Sequence, residues 1–203
     1  MISRMSHSVA PTIASASLRS TVVAPRRAWS RAIALGCCQI ALLALGCGGD
    51  SGAPAPPAAP ARIVVTSAWR DGATIPVRFT CSGAGARPPV AWRGVPRGAR
   101  ELVLVVTDPD APGGRFVHWT AYGIAPDARS VPRRVREGRN SAGKTGWTPP
   151  CPPKGDRPHR YVFALYALGR RSGLAAGAEP DRVIGALRGA LARGAMTGRF
   201  GRR

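Results

Sequence analysis

From Ala61 onward nearly every apolar run is cut by glycine or proline before it reaches the length of an ordinary helix, in a chain with 25 glycines and 20 prolines among 203 residues. Punctuation at that density excludes a helical bundle and predicts one antiparallel, strand-rich domain with few helices. Residues 61–65 open it as a strand. Residues 101–107 contain Leu102, Val103, Leu104, Val105 and Val106, apolar on both faces, which is the mark of a central strand. Residues 116–124 and 161–168 supply two more. Residues 180–196 have a helical period, with Val183, Leu187 and Leu191 on one stripe, Ile184 beside it and Pro180 suited to a first turn. That helix is expected to pack on the sheet. Residues 128–154 have little period and many turn residues, a long irregular loop of the kind that builds a site.

The amino-terminal part reads differently. Arg26, Arg27 and Arg31 precede an uncharged apolar run from Ala32 to Leu45, which is too short to span a bilayer comfortably and ends in small residues. This is the layout of an export signal, assigned to residues 1–46. The break at Ala44-Leu45-Gly46-Cys47 resembles a bacterial lipobox, in which Cys47 becomes the lipid-carrying first residue; a plain cleaved signal is the alternative. Residues 47–61, rich in Gly, Ala and Pro, form a tether, and residues 62–203 the folded domain. The chain is therefore expected on the periplasmic side of the cell envelope, held to the membrane through a lipid.

The net charge of +20 is nearly all arginine, since Lys144 and Lys154 are the only lysines. Such a charge allows contact with phosphate, anionic lipid or nucleic acid. The arginines are scattered, however, and no helix-turn-helix or zinc finger is present, so no specific nucleic-acid partner is expected. Two motifs fail on context. Gly49-Asp50-Ser51-Gly52 has the lettering of a serine-protease nucleophile loop, but only the signal lies upstream, where the histidine and aspartate would have to be. Residues 138–145 match the phosphate-binding P-loop pattern without a buried strand before them, and Pro149 and Pro150 prevent a helix after them.

The informative blocks are Asp108-Pro109-Asp110-Ala111-Pro112, then His118-Trp119, then the stretch from Cys151-Pro152-Pro153 to His159-Arg160-Tyr161. Asp108 stands just past an apolar strand, His118 lies within the next, and His159 and Tyr161 share one face of a third. If those strands are neighbours, carboxylates, imidazoles and a phenol converge at one rim. Taken singly, each residue suits a structural role equally well, with the aspartates capping turns and the histidines hydrogen-bonded in the fold. A metal-assisted hydrolase using Asp108, Asp110, His118 and His159 is the rival reading, because carboxylates and imidazoles suit a divalent ion.

Together the blocks resemble the phosphatidylethanolamine-binding protein family, in its bacterial Raf-kinase-inhibitor-like branch. The resemblance starts at Thr66-Ser67-Ala68-Trp69-Arg70-Asp71-Gly72, runs through Phe79-Thr80-Cys81 and Pro88-Pro89-Val90-Ala91-Trp92, and reaches Gly198-Arg199-Phe200. It implies a mainly β fold, a large antiparallel sheet packed on a smaller one, with peripheral helices including one near the carboxyl end. It also implies a non-catalytic protein without cofactor, whose small anion pocket maps to Asp108, Asp110, His118, Pro152, His159 and Tyr161. The implied guests are a phosphorylated ligand such as a phospholipid headgroup, or a kinase or protease partner. His118, His159 and Tyr161 can donate to a phosphate, whereas Asp108 suits holding an imidazole or meeting a ligand ammonium. Two departures bear on the pocket: Pro149-Pro150 replaces the family's usual Gly-Pro and removes an amide donor, and Arg87 replaces a serine, adding charge nearby. With Cys37 and Cys38 in the signal and Cys47 lipidated, Cys81 and Cys151 remain. In an oxidising compartment they could form a disulfide, with two buried thiols the alternative.

Overall fold

The computed structural model describes residues 62–203. The expected export signal at residues 1–46, the expected lipidation of Cys47 and the expected tether at residues 47–61 lie outside the described residues. Two short strands, β1 (Val64–Thr66) and β2 (Ala91–Arg93), form a small antiparallel sheet. The large sheet contains β3 (Glu101–Asp108), β4 (Phe116–Ile124), β5 (Arg136–Glu137), β6 (His159–Leu168) and β7 (Ala192–Phe200). Its order is β5-β4-β3-β6-β7, antiparallel throughout. Among the described residues one α-helix, α1 (Pro180–Ala186), lies between β6 and β7 in the chain.

The position of β3 follows from its sequence. Leu102, Leu104 and Val106 enter a core with Trp119, Phe163, Trp92 and Val65, while Val103 and Val105 face the opposite side with Tyr122, Leu168 and Val183 of α1. A strand apolar on both faces must be covered on both. Each of these side chains contributes roughly 1.5–3 kcal/mol by leaving water, enough to fix β3 between β4 and β6.

The strand that carries His118 departs from regular pairing. Val106 pairs with Trp119 and Thr107 with Val117, so His118 is one extra residue in β4, a β-bulge. The bulge sends Val117 and Trp119 to opposite faces. His118 consequently lies on the Trp119 side, edge-on to Tyr161 with ring centroids 5.2 Å apart.

The helix expected over residues 180–196 is corrected by the structure. Pro180 opens α1 and Val183 is its buried residue, but the helix ends at Ala186, Gly189 turns the chain at φ +73°, and Leu191 is half exposed. The remainder is strand β7, whose inward positions are Gly194, Met196, Gly198 and Phe200. Two of these are glycines because neighbours approach closely. A Cβ on Gly194 would strike the Ile63 carbonyl, and one on Gly198 would strike Ile75 and the Trp69 indole.

The irregular loop expected over residues 128–154 is present, interrupted only by the two residues of β5. Within it, the P-loop lettering forms a tight knot around the buried Asn140. Its Oδ1 accepts from the Ala142 and Lys144 amides at 3.0 and 3.1 Å, and its Nδ2 donates to the Gly146 carbonyl and Thr148 Oγ1 at 2.9 and 2.7 Å. Ser141 pins the knot to β4, accepting from the Val117 amide at 2.8 Å and donating its own amide to the Val117 carbonyl at 2.9 Å. The segment anchors the following residues instead of cradling phosphate.

Candidate functional site

Where β3 ends, β4 begins and β6 begins, the three strands share one rim, because Asp108 pairs with Phe116 and Thr107 with Val162. A cavity of about 330 Å³ opens there. Asp108, His118, His159 and Tyr161 supply its polar wall, and Ala111, Pro112, Phe116, Pro149, Pro152 and Pro153 its apolar one. The convergence expected from the sequence therefore occurs for Asp108, His118, Pro152, His159 and Tyr161.

Asp110 behaves differently. It is not among the wall residues; instead its Oδ2 accepts from the Arg160 amide and Nε at 2.9 Å each, and its Oδ1 from Arg160 Nη2 at 2.7 Å. The Arg160 hydrogen bonds hold the Asp110 carboxyl far below the usual carboxylate range. The residue fastens the turn after β3 to the start of β6, a positioning role beside the cavity. Arg87 is also absent from the wall. It lies 3.6 Å from Glu137 and over the Trp119 ring at 5.3 Å, so it adds no charge at the pocket.

Asp108 is fully engaged. Its Oδ2 lies 2.7 Å from His159 Nδ1, and its Oδ1 accepts from the Asp110 amide at 2.8 Å. His159 must carry its proton on Nδ1 to donate there, and its Nε2 faces Asp156 at 3.6 Å. Of the roles expected for Asp108, orienting an imidazole fits this geometry, while meeting an ammonium would compete with partners already in place.

His118 is held from the other side. Its Nδ1 donates to the Thr148 carbonyl at 2.8 Å, and the Thr148 amide donates back to the His118 carbonyl at 2.9 Å. Burial pushes the imidazole below its ordinary value, with the Thr148 carbonyl and the Asp108 charge opposing the shift. At neutral pH the ring is mainly uncharged, and its Nε2 makes no hydrogen bond among the described residues. Tyr161 is fully buried, and its hydroxyl also makes no hydrogen bond of full geometry among them. Burial, then the Asp108 charge and the close approach of its carboxylate to the hydroxyl, then the Asp110 charge, push the phenol well above its usual value, so it stays a donor at physiological pH.

Cys81 and Cys151 form a disulfide with Cα atoms 5.3 Å apart, and Cys151 belongs to the cavity wall. The Cys81 amide also donates to the Pro150 carbonyl at 3.0 Å. Proline at 149 and 150 thus stiffens a loop already fastened at one point by sulfur. Two wall residues carry no signal in the sequence reading, Thr148 and Arg202. Thr148 sits beside the Asn140 knot, and Arg202 follows β7 in a segment without period or motif.

A two-sheet β domain with one polar-floored pocket at a strand rim is the architecture of a ligand-binding module. The family model for phosphatidylethanolamine-binding protein matches residues 65–201, and the chain belongs to that family. Its members are, at the family level, binding proteins. Among solved structures, the phosphatidylethanolamine-binding protein homologue CT736 of Chlamydia trachomatis superposes with a TM-score of 0.66 at 33% identity, covering 70% of this chain and 99% of that one. Escherichia coli YbcL, described as a member of the mammalian family, gives 0.65 at 29% identity, with 70% and 100% covered. A Mycobacterium tuberculosis protein carrying the lipoprotein name LppC is 47% identical over 124 residues, 59% of this chain and 61% of that relative's own length. A UPF0098 protein of Methanothermobacter thermautotrophicus is 39% identical over 134 residues, covering 61% and 87% of the two chains. Among the described residues, no group of three His, Cys, Asp or Glu side chains is arranged to hold a metal ion. Nor is any helix among them long and apolar enough to cross a membrane.

Proposed function

We propose that the chain is an exported, lipid-anchored, non-catalytic binding protein whose pocket receives the anionic group of a small phosphorylated ligand, such as a phospholipid headgroup. The observation that carries the reading is the Tyr161 hydroxyl, a buried donor in the cavity wall that makes no hydrogen bond of full geometry among the described residues, although the Asp108 carboxylate lies near it. A buried hydroxyl without a partner costs stability, and a guest that accepts from it removes that cost. His118 and His159 line the same cavity, and Pro152 with Phe116 and Pro112 gives a substituent an apolar surface. Asp108 orients His159, and Asp110 holds the surrounding turn through Arg160.

In this reading residues 1–46 direct export, Cys47 carries lipid and residues 47–61 tether the domain at 62–203 to the membrane on the periplasmic side. The lipoprotein name of the Mycobacterium tuberculosis relative supports anchoring. Through the same anion pocket, a phosphorylated segment of a kinase or protease partner would dock as the headgroup does.

The test is Tyr161→Phe. Calorimetric titration with phosphoethanolamine is expected to show a loss of tenfold or more, since a hydrogen bond to a charged group is worth roughly 1.5–3 kcal/mol. Thermal stability should change little, because the hydroxyl makes no hydrogen bond of full geometry among the described residues. Unchanged affinity in the variant would remove the pocket assignment.

A further inference from the structure

The cavity wall has a charge imbalance that the residues considered so far leave uncorrected. Its carboxylate, Asp108, is taken up by His159, with Asp156 facing the other nitrogen of that imidazole. His118 is mainly uncharged at neutral pH and Tyr161 is a neutral donor. A phosphate monoester arriving there would bring close to two negative charges, which a mainly uncharged His118 and a neutral Tyr161 do not offset. The basic side chains close in sequence are engaged elsewhere or lie outside the wall: Arg160 is bound by Asp110, and Lys154 and Arg157 do not line the cavity.

Arg202 is the one arginine or lysine in the wall. It is half-buried and held on its backbone and its side chain. The Gly155 amide donates to its carbonyl at 3.1 Å, and its Nε donates to the Pro152 carbonyl at 2.5 Å. Lys154 and Arg202 form a parallel β-bridge, so the segment after β7 runs beside the pocket loop. The guanidinium is thus fixed by one edge, and neither terminal nitrogen meets a carboxylate or carbonyl among the described residues. A guanidinium has five N–H donors in a planar fork that matches two oxygens of one phosphate. With Nε spent on Pro152, the outer nitrogens remain for a guest.

We infer that Arg202 is the anion anchor of this pocket, fixed by the Pro152 carbonyl so that its remaining N–H groups engage a tetrahedral, doubly charged guest to which the Tyr161 hydroxyl also donates. The inference rests on the anion-pocket reading above and names the group that would supply the charge. It makes the segment after β7 part of the binding site as well as of the fold.

The experiment titrates inorganic phosphate into the full chain, wild type, Arg202→Gln and Arg202→Lys, by calorimetry, with thermal melting as control. Glutamine is expected to weaken binding by roughly tenfold or more, and lysine, which keeps the charge without the fork, by less. Wild-type affinity in Arg202→Gln, with the protein binding phosphate normally, overturns the Arg202 assignment and leaves the pocket standing. Failure of the wild type to bind phosphate at all overturns both. Should the glutamine variant melt well below the wild type, the salt dependence of the wild type decides: affinity falling as ionic strength rises is expected, and affinity indifferent to salt contradicts a charged anchor.

Discussion

His159 Nδ1 lies 2.7 Å from Asp108 Oδ2, a contact between the first residue of β6 and the last of β3 made with both side chains closed off from solvent. The pair does two things. It compensates a carboxylate that would otherwise be buried alone, and it fixes the proton of His159 on Nδ1, so that Nε2 is the nitrogen left for other contacts.

Asp108→Asn is therefore expected to destabilise the domain by about 1–3 kcal/mol, the cost of weakening a buried charge-assisted hydrogen bond while keeping the shape. Urea denaturation followed by tryptophan fluorescence measures it. A variant as stable as the wild type would mean that the pair contributes nothing to the fold and that Asp108 is retained for another purpose.

His118 gives a pH dependence of definite sign. Its folded value lies below the ordinary imidazole value of 6.5, with burial as the main cause. As pH falls below about 6.5 the unfolded chain takes up this proton first, so the His118 contribution to stability is present above that value and is lost as pH drops toward the folded one. A bound anion whose own charge is constant over this range, such as sulfate, favours the charged ring and so works in the opposite direction: sulfate affinity should rise as pH falls from 8 toward 6. His118→Asn keeps a donor for the Thr148 carbonyl but cannot titrate, and calorimetry on it should show a flatter affinity profile. A wild-type affinity that falls with acidification would contradict this role.

The disulfide joins residues 70 apart in the chain. In the chain-entropy model, opening a loop of that length costs about 4 kcal/mol. Reduction, or replacement of Cys81 and Cys151 by serine, should lower stability by an amount of that order and weaken phosphate binding, because Cys151 belongs to the cavity wall. Guanidinium denaturation with and without reductant reads the first effect and calorimetry the second. Equal phosphate affinity in both forms would show that the loop keeps its shape without sulfur.

Much of this architecture was legible because burial on both faces leaves a plain trace: the apolar run in β3 announced a central strand, and His118 in one expected strand with His159 and Tyr161 on one face of another pointed to a shared rim if those strands were neighbours. β7 was misread as helix for a specific reason. Two of its inward residues, Gly194 and Gly198, have no side chain to mark the strand period, and Leu187 and Leu191 happened to continue the stripe begun by Val183. The bulge that re-aims His118 has no local signal at all, since it arises from pairing between β3 and β4. Asp110 carried the same motif as Asp108, but which of the two faces the cavity is decided by the bidentate contact with Arg160, made across a separation of 50 residues. Arg202 was missed because a single arginine in an arginine-rich chain does not stand out until its neighbours are known.

The most direct measurement is histidine-ring NMR of the full chain during addition of inorganic phosphate. Resonances of His118 and His159 should shift together along one saturable curve, and the Tyr161→Phe variant should need markedly more phosphate to reach the same point. Rings that stay put at millimolar phosphate, while the domain remains folded, would contradict an anion site at this rim.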